Sequence, residues 1–207
     1  VFITRTRATI VALAAASSLL LAAGCSDDSS DAPAHHSSTT TSASPTSATA
    51  GARTDFNDAD VTFLQMMYPH HAQAVEMAKM VPSRTQNEQL IALAAQVEQA
   101  QAPEMQQITT LLTSFGKPAP TTGGGHEGHG MPGMMTAEQM SALEAATGAE
   151  FDRQWLEMMI EHHEGAVDMA NTELTGGVNA ESKQLATAIV SAQEAEISTM
   201  RGMLGQN

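Results

Sequence analysis

Four long stretches of this chain place apolar residues every three or four positions, and no run shows strand alternation with a β-branched bias. That period belongs to helices that each bury one stripe, so the folded part reads as all-α. On a helix advancing about 100° per residue, Phe151, Trp155, Met159, Ala166, Met169 and Ala170 share one side, while Glu157, Glu161, Glu164 and Asp168 take the other. The first stretch predicts a helix from about Asp58 to Val81, stopped by Pro82. A Thr85-x-x-Glu88 capping box opens the next, which runs to about Phe115 ahead of Gly116. Thr136-x-x-Gln139 opens a short helix ended by Gly148, a long helix follows to about Leu174, and Asn179 caps a last one to about Leu204. Pro69 and Pro103 fall inside helices, where each costs about 3 kcal/mol, and predict a bend in the first half.

The stretches repeat. Phe63-Leu-Gln-Met66-Met67-Tyr-Pro-His70-His71-Ala-Gln-Ala74-Val75-Glu-Met77-Ala78 matches Trp155-Leu-Glu-Met158-Met159-Ile-Glu-His162-His163-Glu-Gly-Ala166-Val167-Asp-Met169-Ala170 at a constant offset of 92 residues. The register also pairs Asp60 with Asp152, Gln101 with Gln193 and Glu104 with Glu196. An offset kept across two helices and the turn between them marks a duplicated helical hairpin. Two hairpins, each with a stripe to bury, predict a four-helix bundle with a short extra helix before the second.

Polar residues interrupt the buried stripes. His70, His71, His162, His163, Asp60 and Asp152 fall on the inward half of their helices, and Gln101, Glu104, Gln193 and Glu196 fall among Leu93, Val97, Ile108 and their counterparts. Buried polar groups need partners. A single inward histidine is more often one member of a core network than a ligand. Here two adjacent histidines carry methionine four residues earlier (Met66 to His70, Met67 to His71), and Met158 and Met159 repeat this before His162 and His163. Residues four apart are helix neighbours, so thioether and imidazole can reach one ion. That pair suits copper, above all Cu(I), while imidazole also serves other transition metals. Met77, Met105, Met169 and Met200 read as core filler.

The two ends of the chain change the setting. Arg5 and Arg7, an apolar run from Ile10 to Ala23 and a closing Ala22-Ala23-Gly24-Cys25 have the order of a secretory signal, resembling one cut before an acylated cysteine. Residues 1–24 are thus expected to be removed and Cys25 to be lipidated, placing the protein on the outer face of the bacterial cytoplasmic membrane. Cys25 is the only cysteine, so no intrachain disulfide can form. Residues 25–54 form a Ser/Thr-rich tether, 55–116 the first hairpin, 117–135 a linker and 136–207 the second hairpin. The formal charge is −14, and loss of two arginines and no acids with residues 1–24 takes it to −16. So acidic a chain argues against a nucleic-acid partner. The linker, rich in Gly and Pro, carries His126, His129, Met131, Met134 and Met135, an unusual set for a loop and a candidate auxiliary metal-catching segment.

The pattern Asp-x-x-aromatic-x-x-x-Met-x-x-His-His-x-x-Ala-x-x-Met-Ala, followed by Leu-Ala and Gln-x-x-Glu, resembles the exported bacterial family called domain of unknown function 305 over about residues 55–205. The resemblance implies a ferritin-like four-helix bundle with two motif copies, and copper binding as in some relatives. It carries metal ligation to Met66, Met67, His70, His71, Met158, Met159, His162 and His163; the inward helix faces separately offer Asp60, Asp152, Gln101, Gln193, Glu104 and Glu196 as supporting residues or further ligands. The leading reading is a lipoprotein that binds or buffers copper, with a metal-exchange partner protein and self-association left open. A ferritin-like di-metal oxidase is the second, although no Glu-x-x-His occurs on the helices and no catalytic motif is recognisable. The third is a metal-free interaction module whose polar network fixes the packing.

Overall fold

The computed structural model describes residues 53–120 and 131–205. The expected signal segment, Cys25, most of the tether, His126 and His129 lie outside them. Five helices form the described part: α1 (Asp58–Arg84), α2 (Glu88–Ser114), α3 (Ala137–Ala145), α4 (Gly148–Gly176) and α5 (Ala180–Met203). α1 packs on α2 and α4 on α5, as two hairpins. The hairpins join chiefly through α1 against α4, with α2 touching α5 lightly and α3 resting on α4. This is the duplicated four-helix bundle expected from the repeat. No helix among the described residues is long and apolar enough to cross a membrane.

Several boundaries differ from the sequence expectation, each for a local reason. α1 runs through Pro82 to Arg84. In the last turn a proline removes one hydrogen bond without blocking the helical backbone, and Ser83 Oγ donates to the Met80 carbonyl there. The N-cap of α2 is Asn87, not Thr85: its side chain accepts from the amides of Gln89 and Leu90, while Thr85 Oγ1 accepts from Asn87 N. Gly148, at φ +59°, opens α4 and does not close α3. α1 and α2 continue through Pro69 and Pro103. The Thr136–Gln139 capping box and the Asn179 cap form as expected.

The apolar core comes in two parts. One holds Val81, Leu90, Val97, Phe151, Trp155, Met159 and Met200; the other holds Phe63, Leu64, Met67, Ile108, Leu112, Ala166 and Ile189. Along each of the four long helices the residue numbers of the two parts are separated by the same polar positions: His70–His71 on α1, Gln101 on α2, His162–His163 on α4 and Gln193 on α5. The bundle is therefore two apolar ends with a polar layer across its middle.

Asp60 and Asp152 belong to the ends and not to that layer, contrary to their expected place beside the histidines. Asp60 accepts from its own N-cap amide, Asn57 N (2.7 Å), and from Val178 N and Asn179 N in the α4–α5 turn (3.1 and 2.9 Å). Asp152 accepts from Asn87 Nδ2 in the α1–α2 turn (2.9 Å). Each repeat thus uses its aspartate to hold the other repeat's helix cap. Ten residues separate each aspartate from the first histidine of its helix, about 15 Å along the axis. Burial works to raise the Asp60 carboxyl, but its amide donors hold it below the usual carboxylate value.

Candidate metal centre

All four motif histidines are fully buried, at 0 % exposure. Adjacent residues on a helix point about 100° apart, so the two members of a pair cannot face the same neighbour. The structure resolves this by splitting each pair. His70 meets His162 across the α1–α4 seam, with ring centroids 3.8 Å apart and planes inclined at 43°. His71 turns instead towards α2, where its Nε2 lies 2.7 Å from Glu104 Oε2. His163 turns towards α5, with Nε2 2.7 Å from Glu196 Oε2. The layer therefore contains a central imidazole pair flanked by two equivalent His–Glu dyads.

The partners determine which ring nitrogen carries the proton. A carboxylate only accepts, so His71 and His163 donate through Nε2, and in the neutral ring the lone pair then sits on Nδ1. His70 does the same, because its Nε2 lies 3.0 Å from the Pro132 carbonyl oxygen. The Nδ1 atoms of His70, His71 and His163 are buried without a hydrogen-bond partner, as are both nitrogens of His162. Burial pushes the His70 imidazole down to about 3, against the Pro132 bond and helped by the nearby His71 and His163. Burial, then His70 and the other rings, push His162 well below its ordinary value. Both rings are neutral at pH 7, so no proton competes for their free lone pairs.

The rest of the layer is polar or polarisable. Gln101 and Gln193 are 2 % and 3 % exposed, and neither the oxygen nor the nitrogen of either amide has a partner. Of the polar residues on α2 and α5, it is Glu104 and Glu196 that bond to the histidines. Met67 and Met159 are fully buried, one turn before His71 and His163, while Met66 and Met158 are half-buried. Buried imidazole with one nitrogen committed to an acceptor and the other free is the arrangement by which proteins present histidine to a metal. Among the described residues no three His, Cys, Asp or Glu side chains gather closely enough to form a cage by themselves. An ion held here would draw on one or two imidazoles with methionine sulfur, a donor set for thiophilic ions of low coordination number.

Of the expected linker ligands, Met135 is buried and part of the core, and Met131 and Met134 are half-buried. Their segment lies on the bundle, so within the described residues the expected metal-catching loop is a packed strap. Gln73, Pro132 and Gly165, which seat it, carry no motif signal. Gln73 and Gly165 differ at equivalent positions, but so do Tyr68 and Ile160, Pro69 and Glu161, and Ala72 and Glu164, so the difference alone does not single them out.

Known proteins place this architecture. The chain is similar to a family fragment from Deinococcus radiodurans (33 % identity, TM-score 0.66, covering 73 % of this chain and 98 % of that one). It is also similar to a protein from Streptomyces coelicolor described as secreted (34 %, 0.65, 72 % and 93 %). A third similar structure is CopM in its Cu(II)-bound form (34 %, 0.62, 70 % and 94 %), and Cu(I)- and Ag-bound forms of CopM match at 30 % identity and TM-score 0.58. No curated protein matches in sequence. The model of the family described as domain of unknown function (DUF305) matches residues 60–204, most of the chain and all four histidines, and the chain belongs to that family.

Proposed function

We propose that this chain is an exported protein that binds a soft transition-metal ion, copper in the first place, in the polar layer of its bundle. The observation that carries the reading is the state of the rings: three imidazoles committed as Nε2 donors, each with an unpartnered Nδ1, and a fourth with neither nitrogen bonded. Glu104 and Glu196 act through His71 and His163, fixing tautomer and orientation, and the buried Met67 and Met159 offer sulfur nearby. The Cu- and Ag-bound forms of CopM support this choice of metal. The absence of a three-carboxylate or carboxylate–histidine cage among the described residues weighs against a di-metal oxidase.

The sequence features around Cys25 support export and acylation, which would hold the bundle at the outer membrane surface as a metal buffer. Cys25→Ala should release the protein from the membrane fraction and remove the lipid mass. A metal-free module remains the competing reading, favoured by the His–Glu bonds themselves. Anaerobic titration of the mature protein with Cu(I) against a chelating competitor separates the two. Metal should be taken up by the native chain and lost when His70, His71, His162 and His163 are all replaced by Ala. No uptake, or uptake unchanged in that variant, rejects the proposal.

A further inference from the structure

The segment 131–135, just ahead of α3, crosses the bundle at the histidines. Gln73 holds it with both ends of its amide: Nε2 donates to the Met135 carbonyl (2.9 Å) and Oε1 accepts from Met135 N (2.8 Å). His70 Nε2 donates to the Pro132 carbonyl (3.0 Å). On the α4 side the contact is backbone to backbone. A Cβ on Gly133 would meet the carbonyl oxygens of Glu161 and His162 at 2.5 and 2.9 Å, and one on Gly165 would collide with the Pro132 carbonyl and Gly133 N. Gly133 also has φ +75°, a conformation that favours glycine. Gln73 on α1 and Gly165 on α4 are equivalent positions of the two repeats, one supplying the latch and the other the room.

We propose that Met131–Met135 is a gate over the metal layer, latched by Gln73, and that an ion reaches the His70–His162 pair by lifting it. The inference rests on the metal-binding reading of that layer. All four rings are fully buried, so some element must move before an ion enters. The strap touches the seam at the His70 ring and the His162 backbone, and it is held by three side-chain hydrogen bonds and by close backbone contact, without a helical ladder of its own. Segments so held belong to the low-stability end of a structure and open locally. Lifting it also releases His70 Nε2, so the same movement that admits the ion frees the ring to reorient.

The test is the rate of Cu(I) uptake by the mature protein from a chromogenic Cu(I) chelate, in stopped flow and without oxygen. Gln73→Ala removes the latch, and Gly165→Ala pushes the strap off by an independent route. Neither residue offers the ion a ligand. Both variants should take up Cu(I) at least fivefold faster than the native chain, to the same final stoichiometry, and the Met135 amide should lose hydrogen-exchange protection in both. Unfolding curves and helical content confirm that each variant is folded, and a misfolded one leaves the other to decide. Native uptake with unchanged rates in a folded variant overturns the gate and leaves metal binding standing. No uptake by the native chain overturns both.

Discussion

The two repeats agree where they orient groups and differ where the chain joins them. His71–Glu104 and His163–Glu196 have the same 2.7 Å contact, and Asn87 and Asn179 cap equivalent helices under the opposite repeat's aspartate. His70 and His162 are equivalent in sequence, yet only His70 is bonded to the strap. Only one segment joins the hairpins, so it cannot treat them alike; Gln73 and Gly165 are the residues that accommodate this. A second departure lies at one end of the bundle. Val81 is an ordinary core residue, while its counterpart Glu173 is a carboxyl at 1 % exposure whose hydrogen-bonding neighbour is the Asp60 carboxylate. Burial, then the neighbouring Asp60, push Glu173 up to about 8, so it is a neutral acid at pH 7.

Acid should break the seam between the repeats with the largest effect. The folded pKa of His70 is near 3 and its unfolded value near 6.5, so between those limits the unfolded state binds more protons. Stability of the metal-free protein should therefore fall as pH drops from about 6.5 towards 3, by about 1.4 kcal/mol per pH unit for each such imidazole. Urea unfolding across that range measures it. A flat profile would contradict the neutral, buried pair.

Next come the ends. Val81→Glu copies Glu173 into the first repeat without the neighbours fitted to it, and should cost about 3 kcal/mol in thermal or urea unfolding at pH 7. The reverse change, Glu173→Val, should stabilise. The folded carboxyl keeps its proton up to about 8 while the unfolded one loses it near 4.5, so its contribution to stability declines as pH rises between those values, against the imidazoles below about 6.5 and unopposed by them above it. That decline should flatten in Glu173→Val.

The dyads supply the test of sameness. Glu104→Ala and Glu196→Ala should each weaken Cu(I) binding by about 10- to 100-fold, the usual consequence of losing a ligand's hydrogen-bond partner. The two losses should match within about threefold. A large effect in one repeat and none in the other would show that the equivalent geometry does not reflect equivalent roles.

Much of this was legible in the chain. The period of the apolar residues and the 92-residue offset carry the bundle and its duplication, and Thr136, Gln139 and Asn179 announce their caps because capping is short-range chemistry. Angle alone misled elsewhere. Asp60 shares a helix face with the histidines but lies at the other end of that face, where it meets the α4–α5 turn. Gln101 and Glu104 were separable only by the crossing register of α1 and α2, which a helical wheel does not contain. The strap was hidden for a related reason: a Gly- and Pro-rich run reads as loop, and its seating depends on two glycine backbones distant in sequence.

In the proposed site, Nδ1 of His71 and His163 is held ready for a metal by the glutamates bonded to Nε2. Nitrogen NMR of the histidine side chains, recorded as redox-inert Ag(I) is added, tests it most directly. The Nδ1 resonances of His71 and His163 should shift and couple to silver while their Nε2 atoms stay protonated. Unmoved imidazole resonances, or silver bound through Nε2 with the glutamate bonds broken, would contradict it.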